Sequence, residues 1–190
     1  MKLMKKYLLG LSMILLMGGI VVGCSSTNNM TDNSEKSSAT KVLKDSTKIT
    51  TNEAVEIYQK TFPNTDVVSI ELEKSLGKPV YTIIGGDKTT EYQLDINAVS
   101  KKIKQKSEEP LDEDDMNDSQ TKKLDLDNVI SLEKAARIAE KAAKDGQSTD
   151  FKLEKDDGIA IWEVRVKSDQ SDKEIKINAQ KGTIIKIENE

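Results

Sequence analysis

The sequence contains no histidine and a single cysteine. Without histidine the chain cannot build a Ser-His-Asp triad, a Cys-His pair or a histidine-ligated zinc site. Catalysis by carboxylates would need a positioned pair in a pocket, and no pair in the sequence stands out as a candidate. We therefore expect no catalytic residue, no metal site and no cofactor, apart from a covalent lipid on the cysteine.

Basic residues are also too few to balance the acidic ones. The chain has 29 Lys and Arg against 33 Asp and Glu; without three lysines near the amino terminus the balance is 26 − 33 = −7. Such a surface repels polyanions, whereas nucleic-acid binding depends on clustered Lys and Arg that neutralise phosphates. We expect no nucleic-acid partner. Direct docking on anionic lipid or wall polymer is disfavoured as well, unless divalent cations intervene.

One uncharged apolar run, residues 7–22, follows Lys2, Lys5 and Lys6 near the amino terminus. A transmembrane helix needs about 20 apolar residues, and this run is shorter and contains three glycines. A basic end, an apolar middle and a small residue before the cysteine are typical of an export signal. Residues 1–23 are therefore predicted to be a signal peptide rather than a permanent membrane span.

The run ends in Val21, Val22, Gly23 and Cys24, which resemble the bacterial lipobox. In a lipobox the cysteine thiol receives a diacylglycerol and the cysteine becomes the first residue of the mature protein. Because two or three acyl chains anchor a protein stably, lipidation of Cys24 would hold it on the extracytoplasmic face of a cell membrane. We expect the envelope of a Gram-positive bacterium; the alternative is an incidental cysteine after an ordinary signal.

Residues 24–48 are rich in Ser, Thr, Asn, Asp and Lys and contain scarcely any large apolar side chain. Such a composition cannot bury enough surface to offset its chain entropy. The segment is predicted to be a flexible tether between the membrane and the folded part.

The folded part contains an internal repeat, because a shift of 81 residues aligns Ile49 with Ile130 and Ala54 with Ala135. The alignment needs no gap, and its apolar and glycine matches indicate two copies of one module. Further matched pairs are Ile57 with Ile138, Leu72 with Leu153, Gly77 with Gly158, Tyr81 with Trp162, Ile96 with Ile177, Asn97 with Asn178, Ala98 with Ala179 and Ile103 with Ile184.

Each copy opens with a helix signal and continues with strand signals. Thr50 and Glu53 form a capping box, and the second copy begins at Ser131 with Lys134 in place of the glutamate, which predicts a weaker cap. After each helix the apolar period changes to two, the mark of strands with one buried face. We predict an α+β fold of two tandem repeats, each one helix packed on a small antiparallel sheet of three to four strands. The repeats are assigned to residues 49–106 and 129–190, with an acidic, solvated linker over 107–128.

This pattern resembles the PepSY family, small extracytoplasmic modules also found in the propeptides of thermolysin-like zinc metallopeptidases. The first copy has Ser100 and Lys101 where the family's closing turn usually carries glycine, and its last strand, around Ile103, is predicted more weakly than that of the second copy. The resemblance implies an α+β fold and inhibition or regulation of a peptidase, and it supplies no active-site residue. The residues that carry it are the helix openings 49–54 and 130–135, Leu72-Glu73 and Leu153-Glu154, the aromatic strands 80–83 and 161–164, and the closing runs Asn97-Ala98 and 178–182.

Three further features each allow two interpretations. Tyr81 and Trp162 could bind a partner, but their alternation with polar neighbours favours core packing. The acidic run 112–118 could bind calcium, but it lacks the ligand order of an EF-hand. The repeated Glu73 and Glu154 are more typical of solvated strand ends.

The leading hypothesis is a binding module, expected to be a monomer, that regulates a secreted or membrane peptidase through a strand edge or the outer sheet face. The alternative is a scaffold lipoprotein that binds another envelope component, with divalent cations as a further requirement. An enzyme is the third and least favoured hypothesis.

Overall fold

The computed structural model describes residues 43–112 and 121–189, which fall within one compact unit. The described residues form an α+β fold, as predicted. Both repeats follow the order helix and then four strands, and a short helix precedes the first. The elements are α1 Leu43–Ser46, α2 Thr51–Thr61, β1 Asp66–Ser75, β2 Lys78–Gly86, β3 Thr90–Asn97, β4 Ile103–Pro110, α3 Leu132–Ala143, β5 Gln147–Asp156, β6 Ile159–Lys167, β7 Lys173–Asn178 and β8 Ile184–Asn189.

The helix starts follow the capping signals in the sequence. The Thr50 hydroxyl accepts the Glu53 N–H at 3.2 Å, and the Glu53 carboxylate accepts the Thr50 N–H at 2.8 Å, which completes the box. At α3 the Ser131 hydroxyl accepts the Lys134 N–H at 3.3 Å. Lys134 cannot return that bond, so α3 has half of the reciprocal cap.

The two repeats share one antiparallel sheet of eight strands in the order β4-β3-β2-β1-β5-β6-β7-β8. The sequence predicted a small sheet for each repeat, and the repeats do supply four strands each, but β1 and β5 pair and join them. Ile70 lies opposite Leu153, Leu72 opposite Phe151, and Glu71 opposite Lys152. Because Glu71 and Lys152 are equivalent positions of the repeat, a pseudo-twofold axis passes between them.

The last strand of the first repeat forms although its closing turn has no glycine. Lys101 adopts the left-handed conformation, with φ of 63°, that Gly182 adopts in the second repeat with φ of 71°. Asn97 and Asn178 stabilise the two turns alike, because each side-chain oxygen accepts N–H groups from the residues two and three positions later. Strand β4 continues to Pro110 and so includes the first residues of the segment assigned to the linker.

One apolar core lies between the sheet and the helices of both repeats. The repeats fill it differently: Tyr58 of α2 and the C-cap residue Phe62 are buried, whereas the equivalent positions of the second repeat are Ala139 and Ala143. Helix α1 packs against β5 and α3 and buries Leu43.

Each repeat is preceded by a short arm that packs on the other repeat. We call α1 the first arm and residues 121–129 the second arm. Leu43 of the first arm is buried against the second repeat, and Lys44 forms two hydrogen bonds, at 2.7 and 2.8 Å, with the carboxylate of Glu140. Leu124, which lies 81 residues after Leu43, is buried and donates its N–H to the carbonyl of Val67 in β1 at 2.9 Å.

Candidate interaction surfaces

The predicted lipidation site lies outside the described residues. The site consists of Val21, Val22, Gly23 and Cys24. The lipobox and the lipidation of Cys24 therefore stay predictions from the sequence. Within residues 43–112 and 121–189, no helix is long and apolar enough to cross a membrane.

Trp162 and Tyr81 are core residues, as their alternation with polar neighbours predicted. Each side chain is 1% exposed. The Trp162 indole N–H donates to the carbonyl of Ile130 at 3.1 Å and thus ties β6 to the start of α3. Burial raises the pKa of Tyr81 to about 12, and its hydroxyl lies 3.4 Å from that of Thr51. Neither aromatic ring is available to a partner.

Carboxylates do not converge into a cation site in the described part of the chain. Of the acidic run, Asp112 alone falls there, and residues 113–118 lie outside it. Glu154 is paired with Lys152 at 2.7 Å. Glu73 is partly buried, and burial, with the nearby Asp150 and Asp95, raises its pKa.

The sheet face opposite the helices carries alternating charges across the junction of the repeats. Burial, reinforced by the neighbouring Glu73, raises the pKa of Glu71, while Lys152 and Arg165 oppose that shift. Glu163 pairs with Lys176 on the adjacent strand. We call this surface the outer face; its mixed charges favour a polar protein partner over an apolar one.

The edge strand β8 exposes three isoleucines. Ile184, Ile185 and Ile187 are 45%, 53% and 47% exposed. One side of β8 pairs with β7, and no described strand pairs with the other side. The sequence predicts this strand from its composition, but it gives no signal that the strand would lie at an edge.

The opposite edge, β4, is built from the same positions of the repeat but is more polar. Positions equivalent to Ile184, Ile185 and Ile187 are Ile103, Lys104 and Lys106. The Lys106 ammonium lies 4.9 Å from the centre of the Phe62 ring and thereby covers the end of the core. Charged edge strands resist pairing with other chains, so the two edges differ in their readiness to bind one.

Helix α3 borders the start of β8. A Cβ placed on Gly182 would lie 3.4 Å from Cδ1 of Ile138 and 3.8 Å from Cε of Lys134. The partly buried Ile138 therefore extends the apolar strip of β8 toward the helix.

A cavity of about 190 Å³ lies between the starts of α2 and α3. Its wall includes the two N-cap residues, Thr50 and Ser131, together with Glu133 and Trp162. The N-cap hydroxyls already accept backbone N–H groups, and the Glu133 carboxylate disfavours an anion there. We therefore assign the cavity to the packing of the two repeats.

Two of the described surfaces are suited to binding a protein partner. The outer face offers charges, and the β8 edge offers unpaired backbone groups beside apolar side chains. Extended chains recognise such edges through main-chain hydrogen bonds, and side-chain contacts supply specificity.

Comparison with known proteins agrees with this description. The family model for the "peptidase propeptide and YPEB domain", PepSY, matches residues 48–104 and 129–188, one match for each repeat. A solved structure from Clostridium difficile 630, described as a candidate lipoprotein, superposes with a TM-score of 0.71 at 31% identity, over 76% of this chain and 95% of that one. None of the curated proteins matches the chain. The chain belongs to the PepSY family and carries two tandem PepSY domains, which share one sheet.

Proposed function

We propose that this protein is a non-catalytic lipoprotein, anchored through Cys24 on the extracytoplasmic face of the cell membrane, that binds and inhibits a peptidase there. The observation that carries the proposal is the match of both repeats to a family described as a peptidase propeptide domain. A propeptide domain acts by contact with its peptidase and needs no catalytic group of its own. The absence of histidine from the sequence is in keeping with that role.

The anchor is supported by two separate observations. The sequence Val21-Val22-Gly23-Cys24 resembles a lipobox, and the solved relative is described as a candidate lipoprotein. Because α1 begins at Leu43 and packs on the second repeat, the proposed tether is the part of the polar segment that precedes it, residues 24–42, and it would let the folded part reach proteins near the membrane. Inhibition would then be local, because the anchor keeps the inhibitor at the surface where the peptidase acts.

The outer face is the surface that we assign to the peptidase. Its mixed charges around Glu71, Lys152 and Glu163 can meet a polar partner with complementary charges, which sets orientation and specificity. Charge reversal there, as in Glu163→Lys, should weaken inhibition. The equivalent change at the exposed Glu56 of α2, on the helical side, serves as the matched control.

The test begins on intact cells. Lipidated protein is cross-linked, captured and identified with its partners by mass spectrometry, with Cys24→Ala as the control. Recovery of a peptidase that is lost with the anchor supports the proposal. The purified peptidase is then titrated with the protein on a casein substrate, and inhibition should end at a fixed stoichiometry. Capture of a peptidase whose activity does not change would refute inhibition.

A scaffold for another envelope component is the second candidate. The exposed isoleucines of β8 favour it, since an apolar edge strand can bind an extended segment of a partner with matching side chains. Capture of wall-synthesis or transport proteins without a peptidase would support this role. If chelation of divalent cations released them, the cation-dependent form of the hypothesis would be supported.

A further inference from the structure

We propose that the β8 edge binds the β8 edge of a second copy of this chain, antiparallel, with Ile187 opposite Ile187 of the other copy. The two sheets would then continue into one, and the helices of both copies would lie on the same face. This inference goes beyond the proposed peptidase function and does not depend on it. It also replaces the monomer expected from the sequence with a twofold dimer.

The exposed side chains and unpaired backbone groups of β8 favour pairing with another strand. Three isoleucines about half exposed lie on one short strand, beside a row of backbone groups that no described strand satisfies. An exposed apolar edge of this kind is a template for pairing with another chain. The β4 edge, at the same repeat positions, carries Lys104 and Lys106 instead, so apolar character at this position is not required by the fold.

From Lys186 to Glu188 the side chains of β8 alternate between the two faces of the sheet, whereas at Ile185 the register with β7 shifts by one residue. Ile187 lies opposite the buried Ile175 and therefore points to the helix-covered face. Lys186 and Glu188 lie opposite Lys176 and Glu174 and point to the outer face. A strand that adds to β8 must match this alternation, because directly opposed residues in antiparallel strands share a face.

Charge then selects the register. When two identical antiparallel strands pair around a twofold axis perpendicular to the sheet, one residue lies opposite itself. With Ile187 at the axis, Lys186 of each copy faces Glu188 of the other, which gives two opposite-charge pairs. With Lys186 or Glu188 at the axis, two like charges would face each other, and that is unfavourable.

The occupant is a second copy because β8 supplies its own complement. A foreign strand would have to place an acid opposite Lys186, an apolar residue opposite Ile187 and a base opposite Glu188. A second β8 strand, in the antiparallel direction, does so. The chain already contains one junction of this kind: β1 and β5, equivalent strands of the repeat, pair antiparallel around Glu71 and Lys152. The proposed junction applies that arrangement between two chains.

Cysteine cross-linking tests the register. The chain from Ser25 to Glu190 contains the whole compact unit and no cysteine, so a single cysteine reports on one position. Residues directly opposite in an antiparallel pair have Cα atoms about 4.5–5.5 Å apart, within the range of a disulfide. Ile187→Cys should therefore form a disulfide-linked dimer under mild oxidation.

Two variants serve as matched controls. Ile185→Cys is equally exposed, but in the proposed register position 185 faces position 189, which leaves the two cysteines about 13 Å apart. Lys106→Cys places the cysteine at the equivalent position of β4. Both should remain monomeric on non-reducing gels. Cross-linking of Ile185→Cys as fast as Ile187→Cys would overturn the register.

Sedimentation equilibrium of the protein without engineered cysteines tests the dimer itself. Lys186→Glu or Glu188→Lys alone should weaken the dimer roughly tenfold, because each change turns two attractive pairs into repulsive ones. The double reversal, Lys186→Glu with Glu188→Lys, should restore dissociation to within about threefold of wild type. A monomer at all concentrations, or no rescue by the double reversal, would overturn the proposal.

Discussion

Replacing Leu43 by alanine should destabilise the second repeat by about 2–3 kcal/mol, although Leu43 precedes the first repeat. The side chain is 1% exposed and packs against β5 and α3. A buried Leu→Ala change costs about 2–5 kcal/mol when a cavity remains. The first arm has a single helical turn and can detach instead of leaving a cavity, and its release regains chain entropy. We therefore expect a value near the lower end of this range.

Urea unfolding monitored by tryptophan fluorescence measures this loss. Trp162 is the one tryptophan of the chain and lies buried in the repeat on which the first arm packs. Leu124→Ala, at the equivalent position of the second arm, is the matched variant and should lower the free energy of unfolding by a similar amount. If both arms are docked, neither variant will resemble wild type.

A double variant shows whether the first arm acts as a unit. Leu43→Ala and Glu140→Gln both weaken its docking, one by lost burial and the other by loss of the Lys44 ion pair. Once the arm has detached, the second change has little left to remove, so the combined loss should be smaller than the sum. A cost below about 0.5 kcal/mol for Leu43→Ala, or strict additivity, would refute the docked arm.

Three further predictions concern single side chains. Burial alone would raise the pKa of Glu140, but donors from Lys44 and Ser148 hold it below its usual value. The stabilisation that the Glu140 carboxylate gives to the folded state is then complete above about pH 5 and is lost as the pH falls through the lowered pKa. In urea titrations, Glu140→Gln should lower the free energy of unfolding by about 1 kcal/mol at pH 7 and by much less at pH 3. Burial raises the pKa of Glu71, so its charged form is unfavourable in the folded state. Glu71→Gln should stabilise the protein by up to about 0.5 kcal/mol at pH 7, a gain that thermal melts should show shrinking in acid as the wild-type carboxyl is protonated. Gly182→Ala should lower the free energy of unfolding by about 1–2 kcal/mol, because φ at this position is left-handed. Lys101→Gly should remove a similar strain from the first repeat, and this gain is reduced by the loss of the ion pair between Lys101 and Glu53. Equal melting temperatures for these two variants would contradict this account.

The helices, their caps and most strands could be predicted because local patterns carry them. Thr50 with Glu53 fixes the start of α2, and the alternation around Trp162 fixes the buried face of β6. The family resemblance was also predicted from such patterns, and the match of both repeats confirms it. These features depend on residues that are close together in the sequence, which is why a single sequence was sufficient to predict them.

The joined sheet and the arms could not be predicted, because they depend on contacts between distant residues. Nothing local shows that Ile70 will lie opposite Leu153 rather than face solvent at an edge. Leu43 lies in a stretch dominated by polar residues, and Leu124 lies close to the acidic run, so their composition predicts that both belong to solvated segments. Their burial becomes evident only when each is placed against the other repeat.

The difference between the two edges decides what kind of assembly the chain can form. If β4 and β8 were both apolar, β8 of one copy could pair with β4 of the next, and this head-to-tail contact would repeat without closure and build fibres. Lys104 and Lys106 on β4 disfavour that contact, whereas Ile185 and Ile187 remain exposed on β8. With one apolar edge in each copy, β8 can pair only with β8 of another copy. This contact uses the apolar edge of both copies, so assembly stops at a dimer. The divergence of the repeats at these positions therefore favours a dimer and disfavours a polymer, and it leaves the outer face of both copies open to a partner.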